Sequence, residues 1–144
     1  MKLRLVFAAS LSVTFLFLVV LSATSAPFQH SFGVKEYDDF HAVLHPLQHE
    51  AFPKNDFATI RARSKELIGL GDAIVKLGVP RNTKAEHVEA FKKELKKFSQ
   101  ALVKFGVDAE TGTDAELKTS YSAVHESFEE LAGMLPVRKK HSDG

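Results

Sequence analysis

Apolar residues recur at steps of three and four along one stretch of the chain, and this period constrains the fold more than any other feature. The stretch reads Val88, Phe91, Leu95, Phe98, Leu102 and Phe105. Residues at this spacing lie on one face of an α-helix, whereas a half-buried strand would alternate at every second position. An apolar helix face must be buried against other apolar faces. The period therefore predicts an all-α protein.

Three further stretches carry a comparable apolar face. The four expected helices span residues 34–52, 57–77, 83–106 and 113–136. Helices of similar length joined by short connections are typical of an antiparallel up-down-up-down four-helix bundle. We therefore predict such a bundle over residues 34–136, with most of the phenylalanine side chains in its core.

Local signals mark the expected helix ends and one interruption. Two Thr-x-x-Glu capping boxes, at residues 83–86 and 113–116, are expected to open the third and fourth helices. Gly106 is expected to end the third helix. Pro46 interrupts the first helix and is expected to kink it or to restart it. Gly71 in the second helix is expected to permit a close helix approach.

The first 26 residues have the layout of a secretory signal peptide. Lys2 and Arg4 precede a mostly apolar run from residue 5 to residue 21, and residues 23–26 are small. This order predicts cleavage after Ala26 and a periplasmic or secreted protein. The alternative is an uncleaved membrane anchor. Residues 27–33 are expected to be a flexible lead-in, and residues 137–144 a disordered tail.

The composition excludes several kinds of site. The chain contains no cysteine, so disulfides, thiolate metal sites and covalent haem attachment are all excluded. The formal net charge is +1, with both signs mixed along the chain, which does not favour nucleic-acid binding. The motifs of serine hydrolases, P-loop enzymes, zinc proteases and dinucleotide-binding enzymes are absent as well. We therefore predict that the protein is not an enzyme.

Three histidines at a spacing of four provide the candidate site. His41, His45 and His49 fall on the first helix, where residues four apart lie one turn above each other. His125 lies on the fourth helix, and Glu129 follows it by one turn. Imidazole is the commonest side-chain ligand of transition metals. A set of histidines with a carboxylate suits zinc, copper or nickel better than calcium.

Helix depth predicts that the first and fourth helices share this site. In an up-down-up-down bundle, the first helix ends at the pole where the fourth begins. At a rise of ~1.5 Å per residue, His41 lies ~16 Å from the end at Phe52, and His125 lies ~18 Å from the start at Thr113. The two histidines should then be level, at the border of the core. We therefore predict a metal site formed by His41, His45, His49, His125 and Glu129.

Two other functions remain open at this point. In the first, the bundle is a structural or partner-binding module without metal, and its histidines are surface polar groups. In the second, the bundle binds haem non-covalently. The metal-binding function itself would be storage, buffering, sensing or delivery. Beyond the signal segment, no stretch of the chain is apolar and long enough to span a membrane.

The layout of residues 34–135 resembles the periplasmic four-helix bundles of the cytochrome c-prime and cytochrome b types, and small helical metal-binding proteins of bacterial envelopes. Cytochrome c-prime proteins carry C-x-x-C-H near the end of the last helix, where this chain has Val124-His125-Glu126. The resemblance therefore does not imply covalent haem. Cytochrome b-type bundles hold haem between the first and fourth helices, which His41 or His45 together with His125 could imitate.

A second resemblance concerns two short motifs. Residues 44–51 read L-H-P-L-Q-H-E-A, and residues 124–131 read V-H-E-S-F-E-E-L. The chain is similar in these motifs to uncharacterised exported bacterial proteins. This resemblance implies a helical, exported protein and implies no particular activity.

Overall fold

The computed structural model describes residues 31–136. These residues form helices and connecting turns, and no strand occurs among them. The expected all-α helical bundle is therefore confirmed. The predicted signal peptide, the first part of the lead-in and the tail lie outside the described residues.

Four α-helices and three short helical segments make up this part of the chain. In chain order they are α1 (Lys35–Pro46), a π-helical turn (Leu47–Ala51), a 3-10 turn (Phe52–Lys54), α2 (Phe57–Leu77), a 3-10 turn (Ala85–His87), α3 (Val88–Thr111) and α4 (Asp114–Gly133). None of the helices in residues 31–136 combines the length and the apolar character needed to cross a membrane.

The apolar faces expected from the sequence meet in one core. On α3, Phe91, Phe98 and Phe105 are fully buried. Phe98 contacts the ring of Phe40 on α1, and Phe40 in turn contacts Phe128 on α4, with ring centroids 5.5 Å and 4.8 Å apart. Aromatic side chains from α1, α3 and α4 therefore form the centre of the core, where their large apolar area dominates the packing.

The first helix passes through Pro46 without a break. Proline lacks a backbone N–H, and its ring crowds the carbonyl four residues earlier. Residues 47–51 form a π-helical turn directly after Pro46, and wider turns of this kind accommodate a disturbed hydrogen-bond ladder. The core positions Leu47 and Ala51 remain buried. The helical path therefore continues through a π-turn, and a new α-helix does not start at Pro46.

The third helix does not end at Gly106 but runs on to Thr111, so the expected end was wrong. Asp108 and Ala109 are buried beyond the glycine, and the last turn of the helix is held by Arg61 of α2. A glycine within a helix costs about 1 kcal/mol. These tertiary contacts offset that cost.

The two expected capping boxes had different outcomes. At α4, the hydroxyl of Thr113 accepts a hydrogen bond from the Glu116 N–H, and the Glu116 carboxylate accepts one from the Thr113 N–H. At the start of the third helix, the Thr83 hydroxyl instead donates to the carbonyl of Pro80 at 2.8 Å. The capping box at residues 83–86 is therefore not formed, because Thr83 closes a turn of its own.

The close approach expected at Gly71 is present between α2 and α3. A Cβ atom at Gly71 would lie 2.6 Å from Cδ1 of Leu102, well inside van der Waals contact. Gly71 and Leu102 are both buried. The missing side chain is therefore what lets these two helices pack against each other at this level.

Replacing Gly71 with alanine is expected to lower the free energy of unfolding by about 1–3 kcal/mol, because Leu102 must leave its position in a packed core. Gly69 provides a matched control on the same helix, since a Cβ atom there would meet nothing within 4 Å. Gly69→Ala should raise the free energy of unfolding by up to about 1 kcal/mol through helix propensity. Urea denaturation of both variants measures the difference, and equal effects would contradict a close approach at Gly71.

Candidate histidine site

Three imidazole rings follow one another along the first helical segment. The ring centroids of His41 and His45 are 5.3 Å apart, and those of His45 and His49 are 4.4 Å apart. His45 and His49 are exposed, whereas His41 is half-buried. In the closer pair, His45 lies just before Pro46 and His49 lies within the π-helical turn that follows it. The spacing of four residues therefore does bring neighbouring rings together, and the pair His45 and His49 is the one open to solvent.

His41 belongs to the edge of the aromatic core. Its ring stacks on Phe128 of α4 at a centroid distance of 6.1 Å, and Phe32 meets it edge-on at 5.3 Å. Phe32 also contacts Phe128 and Tyr37. A haem placed between His41 and the fourth helix would have to displace these rings.

The two residues expected from the fourth helix lie next to each other at the surface. The Nε2 atom of His125 is 3.9 Å from a carboxylate oxygen of Glu129. The side chain of His125 is 28% exposed and that of Glu129 is 55% exposed. His125 therefore borders the core, as its position on the helix predicts, and its ion pair is with a residue of its own helix.

The described residues contain no cluster of three or more histidine, aspartate or glutamate side chains able to hold a metal ion. Geometry accounts for this along the first helix. His41 and His49 are eight residues apart, or ~12 Å along the axis. Nitrogen ligands lie ~2.0–2.1 Å from the ion that they share. The ligands of one ion must therefore lie close to one another. Only neighbouring histidines can share an ion, so His41, His45 and His49 offer at most two ligands to any one ion.

The two buried tyrosines take no part in this site. Tyr37 and Tyr121 are fully buried, and neither hydroxyl has a hydrogen-bond partner among residues 31–136. Burial raises the pKa of both phenols well above the ordinary value. Both therefore stay protonated at neutral pH and act as aromatic core residues.

A polar contact between α3 and α4 was not expected from the sequence. Glu94 is buried. Its carboxylate accepts a hydrogen bond from the hydroxyl of Ser127 and forms an ion pair with Lys97. Burial alone would raise the pKa of Glu94, but these hydrogen bonds outweigh it and hold the pKa below the ordinary value. The apolar period of α3 gave no signal for this contact, because the partner lies on another helix.

Arg61 on α2 makes the second unexpected polar contact. Its guanidinium donates to the carbonyls of Asp108, Ala109 and Gly112 and to the carboxylate of Asp114. It therefore joins the end of α3 to the start of α4. A lone arginine in a helix gives no hint of this role in the sequence.

Comparison with known proteins gives no relative for this chain. No family model, no curated protein and no solved structure matches it. The resemblance to haem bundles and to exported bacterial proteins therefore stays a prediction, and function has to be argued from the side chains themselves.

Proposed function

We propose that the protein binds a divalent transition-metal ion through the exposed pair His45 and His49. The observation that carries this proposal is the 4.4 Å separation of the two ring centroids at the surface of the first helical segment. Two imidazoles can bind one ion, and water completes its coordination. Because nitrogen ligands favour copper(II) over nickel and zinc, we expect copper(II) to bind most tightly.

The proposed role is metal buffering or delivery. A site with two protein ligands and an open side can exchange its ion, whereas a structural site is closed by four protein ligands. The proposal includes export, which rests on the signal-like residues 1–26. In that compartment the protein would hold a metal ion transiently and pass it on.

The proposal also includes the up-down-up-down order of the helices. Two groups of contacts support it. At one end, residues near the start of α1, in the connection between α2 and α3, and after α4 line a common pocket. Elsewhere, Arg61 near the start of α2 meets the end of α3 and the start of α4. Alternating helix directions bring these two sets of ends together.

Metal binding by purified protein without a histidine tag tests the site. Isothermal titration with Cu²⁺, Ni²⁺ and Zn²⁺ should detect one ion per chain. His45→Ala and His49→Ala should each weaken binding at least tenfold, because each removes one of two ligands.

Two further histidines serve as matched controls. His87 is exposed and distant in sequence, so His87→Ala should leave the affinity unchanged. His125→Ala should also leave it unchanged if the site belongs to the first helix alone. An equal loss in His125→Ala would instead show a site shared between the first and fourth helices. If no histidine substitution alters binding of any of the three metals, the metal proposal fails, and a structural or partner-binding bundle remains.

A further inference from the structure

A pocket of about 940 Å³ opens at the end of the bundle where α1 begins and α4 ends. Its walls come from three separate parts of the chain: residues 32–34, residues 80–84 with His87, and residues 133–136. Pockets that bind small ligands usually have volumes of about 300–1,000 Å³. His45 and His49 do not line this end pocket, so it is distinct from the proposed metal site.

One wall of the end pocket is apolar. Phe32 and Val34 come from the segment before α1, and Met134 and Leu135 come from the segment after α4. All four side chains are half-buried, so each packs against the core and still presents apolar surface to the pocket. Methionine adapts its shape readily to an apolar ligand. This wall suits a flexible hydrocarbon chain.

A second part of the lining is basic. Arg81, Lys84 and His87 form it, and no carboxylate belongs to the lining among residues 31–136. Two carboxylates outside the lining have described contacts with it. Glu86 lies 3.9 Å from Lys84 and 3.4 Å from His87, and the carboxylate of Asp38 accepts a hydrogen bond from the Phe32 N–H at 2.6 Å. Two permanent cations beside one carboxylate leave this wall positively charged. Such a wall attracts an anion.

A tight turn positions Arg81 at the pocket. Asn82 adopts a left-handed backbone with φ of 73°, and the Thr83 N–H and hydroxyl both donate to the carbonyl of Pro80. Pro80 is itself buried. Arg81 therefore lies in a turn that is anchored at both ends, and its backbone is held at the pocket before any ligand arrives.

We propose that the end pocket binds a small amphipathic anion, a carboxylate carrying an unbranched hydrocarbon chain. The carboxylate pairs with Arg81 and Lys84, and the chain lies against Phe32, Met134 and Leu135. Arginine suits this role because its guanidinium can bind a carboxylate through two parallel hydrogen bonds. The charge of one wall and the apolar character of the other together select this chemical class.

Dodecanoate is the probe for this site. The ¹⁵N-labelled protein is used in the form that its host produces and is freed of metal. It is then titrated with dodecanoate below the critical micelle concentration. Saturable amide shifts are expected in residues 80–87 and 133–136. Acetate, which has the charge without the chain, and dodecyltrimethylammonium, which has the chain with the opposite charge, should each bind at least tenfold more weakly.

Charge reversal locates the site. Arg81→Glu combined with Lys84→Glu should weaken dodecanoate binding at least tenfold. The matched control is Lys93→Glu combined with Lys96→Glu, which changes the net charge equally at exposed positions of α3 outside the pocket. This control should bind dodecanoate as the unchanged protein does. Circular dichroism verifies that both double variants keep the helical content.

Several outcomes would overturn the proposal. Equal binding of dodecanoate and dodecyltrimethylammonium would remove the basic wall from recognition, and equal binding of acetate would remove the apolar wall. Equal loss in both double variants would mean that net charge alone attracts the probe. Absence of saturable shifts in residues 80–87 and 133–136 would exclude the pocket itself. None of these results bears on metal binding by the histidine pair.

Discussion

Truncation of Phe98 to alanine is expected to lower the free energy of unfolding by ~3–5 kcal/mol, the largest single effect we predict. Phe98 is fully buried on α3, and its ring meets Phe40 of α1 nearly edge-on, at an interplanar angle of 75°. Alanine would leave a cavity among aromatic rings, and the surrounding side chains are packed too closely to move into it. The protein should remain helical, because the other core side chains still bury the helix faces.

Urea denaturation followed by circular dichroism at 222 nm measures this effect. Val103→Ala is the matched control, because Val103 lies on the same helix with 69% of its surface exposed. The control should change the free energy of unfolding by no more than about 0.5 kcal/mol. A loss below about 1 kcal/mol for Phe98→Ala would contradict its central place in the core.

Replacement of Arg61 by alanine is expected to lower the free energy of unfolding by ~2–4 kcal/mol. Its guanidinium donates at 2.7–3.0 Å to carbonyls that close the last turn of α3 and to the carboxylate of Asp114. Carbonyls at a helix end have no partner within the helix, and the helix dipole makes that end negative. A hydrogen bond from a charged donor contributes ~1.5–3 kcal/mol, but contributions within one group do not add fully.

Arg63 offers the control for this substitution. It lies two residues further along α2, is 43% exposed, and pairs with Glu66 at the surface. Because exposed ion pairs contribute ~0–1 kcal/mol, Arg63→Ala should have little effect in the same denaturation experiment. Arg61→Lys should fall between the two, since it keeps the charge and loses the forked hydrogen bonds. Equal losses for Arg61→Ala and Arg63→Ala would show that the α3 contacts contribute nothing.

The helix faces could be predicted from the sequence, because the buried apolar residues recur along it at the period of an α-helix. Phe91, Phe98 and Phe105 are all buried, as the steps of three and four require. The prediction was weaker at helix ends. Gly106 looked like an end, yet Asp108 and Ala109 pack beyond it, and Thr83 closed a turn where a capping box was expected. At Gly106 the local signal lost to tertiary contacts, and at Thr83 one local hydrogen bond took the place of another.

The candidate site was only partly predictable. The i, i+4 spacing brings His45 and His49 together because a helix turn is a local, sequence-encoded geometry. Whether His125 meets the first helix depends on how α1 and α4 pack, and helix depth estimated from residue counts cannot supply that. The end pocket could not be predicted, because its walls come from three segments far apart in the chain.

The sequence by itself determined the all-α class, the buried faces and the pairing of neighbouring histidines. Each of these depends on spacing within a single helix, where the backbone geometry is regular. Only the tertiary structure decided that Phe32 and Phe128 surround His41, that Arg61 holds the end of α3, and that Gly71 accommodates Leu102. Those contacts depend on side-chain shapes meeting between helices, and no period along one helix carries that information.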